Sequence, residues 1–382
     1  MKAGIITFNR AYNNGAVLQC YALLYALKKN GIDCQVVDYY PAYFEELYKI
    51  KKRFKMTHPP VKTWLNHFKL RHVLHERNKN YEDFIDRYID KTDTFYSIED
   101  IEDCCPDFDI FISGSDQVWN YGCTYFDPVY FLDFKRAELA KKYSYAACIG
   151  LLENQIPHNL LEEYKKRLTG YEEYSVREVS AVPIIKKLVG RTARIDVDPT
   201  LLLDGDEWDL ICDKGIEEKS YIFVYYVQRT KKLQKYALDL AKSYKSKGKD
   251  IKVICVACNT EPEILSGKYD KEFCFDLRPG AGPSQVVRLI RDAECVITNS
   301  FHGSIFSILY HKKFVTLLTE DSGKINTRTS NLLNTLDLTE RSMTEDFTEI
   351  ERPIDWSSVE NKLNAMRKNS LEYLKQIKDE NS

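Results

Sequence analysis

Three short segments carry residue types that chemistry needs, each at the end of an apolar run. In the strongest, Cys295-Val296-Ile297-Thr298-Asn299-Ser300-Phe301-His302-Gly303, a strand runs through a polar turn into a helix. Ser300 is placed to cap that helix. The free N–H groups and positive dipole end of the first turn, where Phe301, His302 and Gly303 fall, suit a phosphate or a carboxylate. A capped helix with a packed histidine satisfies the same local pattern. In the second segment, Phe111 to Asn120, Gly114 permits a tight turn, and Ser115, Asp116 and Gln117 follow it. Asp116 is a candidate general base on a sugar hydroxyl, with Ser115 and Gln117 beside it; an Asx turn is the structural alternative. The third segment, Asn9-Arg10-Ala11-Tyr12-Asn13-Asn14-Gly15-Ala16, is rich in amides and opens a helix, which suits anions or sugars, and Asn14 is its candidate ligand. It lacks G-x-G-x-x-G, so a dinucleotide fingerprint is absent. Arg177 ends a strand, and Lys324 and Arg328 follow another, which makes all three candidate cations beside His302. Each alone also suits a solvated surface charge.

These residues need a scaffold that brings strand ends together. Lys2–Phe8, Val17–Asn30 and Gln35–Asp38 predict strand, helix and strand, a βαβ opening on a parallel sheet. Residues 41–100 are charged and helix-like. Strands are then expected at Asp109–Ser113, Lys142–Cys148, Tyr174–Arg177 and Arg194–Val197, with helices at Leu160–Leu168 and Glu178–Leu188. Asp198-Pro199-Thr200 interrupts the pattern and is taken as the domain boundary. A second α/β unit follows, with strands Tyr221–Val227, Ile251–Val256, Glu294–Thr298 and Phe314–Leu317. Its helices are Lys231–Lys245, Ser284–Arg291, His302–His311 and Arg328–Leu336, and a tail helix spans Val359–Lys378. The expected division is 1–198 on the acceptor side, with a basic helical insertion at about 41–100, and 199–355 on the donor side. A terminal helix at 356–382 is expected to pack back on the first domain. Two such halves face a cleft, and ligands of open α/β sheets bind at the carboxyl ends of the strands.

A chain of 382 residues is long enough for two cores. With 55 basic and 57 acidic residues it carries no global positive field, so nucleic acid is not an expected partner. No run is long and apolar enough to span a bilayer, and no secretory signal precedes the first strand. Eleven cysteines, an odd number scattered through strands and helices, fit free thiols in the cytoplasm. Cys255 and Cys258 form a lone C-x-x-C with no second pair at metal spacing, so no metal is expected. Lys49–Arg71 interleaves basic residues with Phe54, Trp64 and Phe68. Peripheral contact with the inner face of the plasma membrane and a solvated helical insertion are the two readings of that stretch.

Taken in order, several segments resemble the polysaccharide pyruvyltransferase family. They are Gly4–Phe8 with Asn14–Gln19, Ile112–Trp119, Lys142–Ala147, Ser175-Val176-Arg177-Glu178, Asp198–Leu202, Thr298–Gly303 and Arg328-x-x-Asn331-Leu332-Leu333. The resemblance implies a GT-B-like α/β fold of two Rossmann-type domains. It also implies transfer of a pyruvyl group from phosphoenolpyruvate to two hydroxyls of a sugar, as a cyclic ketal. On that basis His302 holds the donor and is the candidate general acid, with Arg177, Ser300, Phe301, Gly303, Lys324 and Arg328 around it. Asp116 is the base, and Asn14, Ser115 and Gln117 orient the acceptor, a saccharide that is commonly lipid-linked. No cofactor beyond the donor is implied. Some members carry Arg where Ser300 stands here. Two other functions suit the same architecture: a glycosyltransferase using a nucleotide sugar, and a non-catalytic saccharide-binding protein.

Overall fold

The computed structural model describes residues 1–44, 61–217, 220–227, 230–258, 275–318 and 326–381, with backbone only at 61–70 and 326–327. The first strand, β1 (Lys2–Ile6), buries Ala3, Ile5 and Ile6 completely, because a parallel sheet is covered on both faces and needs apolar residues on both. It pairs in parallel with β2 (Asp33–Tyr39) on one side and β4 (Ile110–Ser113) on the other. With β3 (Lys91–Phe95), β5 (Lys141–Ser144) and β6 (Tyr171–Glu173) they form a six-stranded parallel sheet in the order β3-β2-β1-β4-β5-β6. β7 (Ser175–Val176) and β8 (Arg194–Ile195) make a small separate pair. The second sheet repeats the plan. β9 (Tyr221–Tyr226), β10 (Lys252–Ala257), β11 (Asp276–Leu277), β12 (Cys295–Thr298) and β13 (Lys313–Thr316) lie in the order β11-β10-β9-β12-β13, all parallel. Each sheet therefore reverses its winding once, between β1 and β4 and between β9 and β12. At such a reversal the connections depart to opposite faces and leave a crevice at the carboxyl ends.

The helices that pack the two halves and border the site are α1 (Asn14–Lys29), α2 (Val61–Tyr88), α3 (Lys231–Ser246), α4 (Pro283–Arg291), α5 (Phe301–Leu309), α6 (Asn326–Thr335) and α7 (Trp356–Asp379). α1 is buried nearly all round, from Asn14 to Leu27, because it lies under the first sheet and against the second half at once. One apolar cluster accordingly runs through both halves. Trp208 bridges them, its ring 5.7 Å from Tyr21 and 4.8 Å from Phe306. α2 adds polar ties: Arg77 donates to the Cys258 carbonyl (2.9 Å) and Asn80 to the Gly280 carbonyl (2.8 Å). α7 returns to the first sheet, where the Tyr373 hydroxyl donates to the Ser144 carbonyl (2.9 Å) and Ser370 Oγ accepts from Val197 N (3.1 Å).

Several local expectations change. Residues 41–100 are not helical throughout, since Lys91–Phe95 is an edge strand whose polar alternation, half-exposed, looks unlike the apolar central strands. The strand expected at Lys142–Cys148 ends at Ser144, and those at Tyr174–Arg177 and Arg194–Val197 reduce to β7 and β8 of the small pair. β11, two residues long, had no signal at all. Of the basic stretch Lys49–Arg71, residues 49–60 and the side chains of 61–70 lie outside the described residues, and Arg71 is exposed. No described helix is long and apolar enough to cross a membrane. Cys255 and Cys258 are both buried, and among the described residues no group of three or more His, Cys, Asp or Glu could hold a metal.

Candidate active site

The loops at the two reversals face one another. After β1 the chain passes Asn13, whose side chain caps α1 by accepting from Gly15 N (2.9 Å) and Ala16 N (3.3 Å). After β12, Ser300 caps α5 by accepting from Gly303 N (3.3 Å). Two helix N-termini, each a positive end with free N–H groups, thus meet across the crevice. Their approach is close. A Cβ placed on Gly15 would lie 2.1 Å from His302 Nδ1, so only glycine leaves room for that ring. The third loop follows β4. Gly114 adopts φ 119, where a Cβ would strike the Tyr145 carbonyl, and Asp116 itself sits in the left-handed region at φ 68, which Asp tolerates better than most residues. The Asp116 carbonyl accepts from Cys148 N (2.9 Å), which anchors the loop to the segment after β5. The fourth loop follows β8 and carries Asp198.

These loops assemble an ion-pair network. Arg177, whose side chain is 3% exposed, donates to Asp198 Oδ2 through Nη1 and to Asp116 Oδ1 through Nη2 (2.9 Å). Arg328 Nη1 stands 3.5 Å from Asp116 Oδ1. His302 Nε2 is 3.5 Å from Asp198 Oδ2, an ion-pair distance rather than a formed hydrogen bond, and among the described residues it is buried with no hydrogen-bond partner. Phe301 lies against both guanidinium groups, 5.0 Å from Arg177 and 5.5 Å from Arg328, a cation–π geometry that holds them side by side. Burial alone would push both carboxyls up. For Asp116 the guanidinium of Arg177, then Arg328 and His302, outweigh it and hold the carboxyl below its usual range. For Asp198 the same opposition, with Arg177 and His302 against burial, holds it well below that range. A cavity of about 310 Å³ borders Arg177, Asp198, Phe301 and Arg328, walled beyond them by apolar residues such as Val197 and Leu332, so the network edges open volume.

Most residues singled out from sequence converge here: Asn14, Asp116, Arg177, Ser300, Phe301, His302, Gly303 and Arg328. Lys324 lies outside the described residues. Ser115 is fully buried and spends its hydroxyl on the Ala146 carbonyl (2.7 Å), with its N–H on Gln19 Oε1 (3.2 Å), which makes it a brace of the loop rather than a group facing a ligand. Gln117 accepts from Asn120 Nδ2 (2.7 Å). Asp116 is a poorer base than an ordinary carboxylate, because a lowered pKa lowers proton affinity. Arg177 is shared between two carboxylates and organises the site more than it reaches into it. Sequence reasoning missed Asp198. The sequence places it at the domain boundary, although an acid just after an expected strand is the same signal that marks Asp116.

Two facing Rossmann-type halves with their reversal points opposed define a GT-B-like α/β fold. The UDP-GlcNAc 2-epimerase of Neisseria meningitidis, solved bound to UDP-GlcNAc, shares it over 100% of this chain and 99% of its own, at 11% identity and a TM-score of 0.50. A putative UDP-N-acetylglucosamine 2-epimerase from Listeria monocytogenes (12% identity, TM-score 0.49, 96% and 90% covered) and an E. coli heptosyltransferase with ADP (11%, 0.40, 86% and 90%) are also similar. None of the curated proteins searched matches the chain. Residues 13–322 match the polysaccharide pyruvyl transferase family, and the chain belongs to that family.

Proposed function

We propose that this chain moves the pyruvyl group of phosphoenolpyruvate onto two hydroxyls of one sugar in a cell-surface polysaccharide precursor, closing a cyclic ketal and releasing phosphate. The observation that carries this reading is the meeting of His302, Arg328 and two helix N-termini over the Arg177–Asp198–Asp116 network. Phosphoenolpyruvate places a carboxylate and a phosphate close together, and such a ligand needs several cations and free N–H groups in one place. Arg328 and the first turn of α5 meet the phosphate, and the α1 terminus with Asn14 stands on the acceptor side. His302 protonates the methylene carbon, which becomes a methyl group. The neighbouring carbon turns oxocarbenium-like, one hydroxyl adds, the C–O bond to phosphate breaks, and the second hydroxyl closes the ring. Of the two hydroxyl protons, one replaces the proton His302 gave and the other leaves with phosphate. Cationic stabilisation of the departing phosphate is the largest electrostatic contribution.

The donor brings the transferred group with it, so no cofactor enters the proposal. The acceptor is a lipid-linked saccharide presented at the cytoplasmic side. The likeness to nucleotide-sugar proteins extends to fold alone, at 11% identity, and does not favour a nucleotide donor. His302→Ala tests the reading. Purified wild type and variant are incubated with phosphoenolpyruvate and a panel of lipid-linked and model glycosides, and products are read by mass spectrometry. Wild type is expected to add a pyruvate ketal, and the variant to lose it by about a hundredfold or more while keeping its circular dichroism. Near-normal turnover in the variant contradicts the assignment.

A further inference from the structure

The two carboxylates of the site are held with different firmness. Asp198 is fully buried; Oδ2 takes Arg177, and Oδ1 takes both the Thr200 N–H (3.0 Å) and the Thr200 hydroxyl (2.6 Å). Asp116 keeps 14% side-chain exposure, and one oxygen, Oδ1, serves both cations, 2.9 Å from Arg177 and 3.5 Å from Arg328. The contact to Arg328 is too long for a good hydrogen bond, and Arg328 is itself 14% exposed. Among the described residues Asp116 is the ion-pair partner of Arg328. Were the Asp116 charge withdrawn, Arg177 would stay neutralised by Asp198, whereas Arg328 would stand uncompensated beside the cavity.

We propose that Asp116 is an exchangeable counter-ion that sets how much charge an anion must carry to enter the site. It pairs with Arg328 and yields that guanidinium to the donor. A monoanion gains from Arg328 no more than Asp116 already supplies, so it is not taken up. A dianionic phosphate beside a carboxylate gains more than the exchange costs. The inference rests on the donor reading above and gives Asp116 a task its weakened basicity allows. It makes Asp116 specificity-determining, choosing phosphoenolpyruvate over pyruvate and other single charges.

The test is calorimetric titration of the full chain with phosphoenolpyruvate, inorganic phosphate and pyruvate. The variants are Asp116→Asn, Asp116→Gly and Arg328→Ala. Asn tolerates the left-handed backbone at this position and Gly relieves it, so the pair guards against a folding defect. Both Asp116 variants are expected to bind phosphoenolpyruvate and phosphate about tenfold or more tighter than wild type and to acquire pyruvate binding, and Arg328→Ala to lose phosphoenolpyruvate and phosphate without gaining pyruvate. Phosphoenolpyruvate bound equally or more weakly by both Asp116 variants overturns the counter-ion role and leaves the donor reading standing. Absence of binding by wild type and every variant overturns both.

Discussion

Asp198 lies between Arg177 and His302 with both carboxylate oxygens engaged, so its negative charge belongs to the native state itself. Its carboxyl is held well below the usual range in the fold, against burial, by Arg177 and His302, and returns to about 3.9 on unfolding. The stabilisation is therefore complete at neutral pH. It is lost progressively as pH falls below about 4, where the unfolded chain takes up a proton that the native state refuses. Asp198→Asn is expected to cost about 3–5 kcal/mol at pH 7, because it leaves Arg177 buried with half its compensation. The variant should also lose stability less steeply on acidification, as measured by urea denaturation at pH 7 and at about pH 3. Parallel acid slopes in variant and wild type would show that the native carboxyl is not charged. At this scale His302, Asp116, Arg177 and Arg328 were legible, since each follows a strand and has a type suited to anions. Asp198 was less so, because Pro199 and Thr200 after it read as a break between domains, although the expected strand Arg194–Val197 ends directly before it. The inward spending of Ser115 was hidden because it depends on a carbonyl 31 residues away.

Among the elements, α1 and α5 do the positioning, and the fit between them rests on one absent methyl group. Gly15→Ala has a helix-propensity gain of about 1 kcal/mol, set against overpacking of about 1–3 kcal/mol where the new Cβ meets the His302 ring. Its stability is thus expected to change by no more than about 2 kcal/mol, while turnover falls about a hundredfold because the imidazole is displaced from the reacting carbon. Comparing the urea midpoint with the rate of ketal formation separates the two, and a variant with unaltered turnover would show that the His302 position does not matter. The helices and central strands were readable from apolar periodicity and from caps such as Ser300. β3 and β11 were not, because an edge strand has one neighbour, is half-exposed and lacks the apolar run that marks β1, β9 and β12.

At the scale of the molecule, the repeated strand order places both reversals opposite one another, and the site exists because two independent folding patterns agree on where their crevices fall. That much follows from two βαβ-type patterns in one chain. The bridging of the halves does not, since Trp208, Tyr21 and Phe306 are remote in sequence and their contact depends on the relative placement of two sheets. Trp208→Ala is expected to cost about 3–5 kcal/mol and to split the calorimetric transition into two, as the halves lose their shared core. A single unbroken transition in that variant would show that the other ties suffice.

The central claim is that a proton is delivered to the methylene carbon of phosphoenolpyruvate in this crevice, and turnover in deuterium oxide reads it directly. With phosphoenolpyruvate and an accepted glycoside, the ketal methyl group should carry solvent deuterium, seen by mass spectrometry and proton NMR, with phosphate released in equal amount. A product that keeps its methylene as an enol ether, or an unlabelled methyl group, would contradict it.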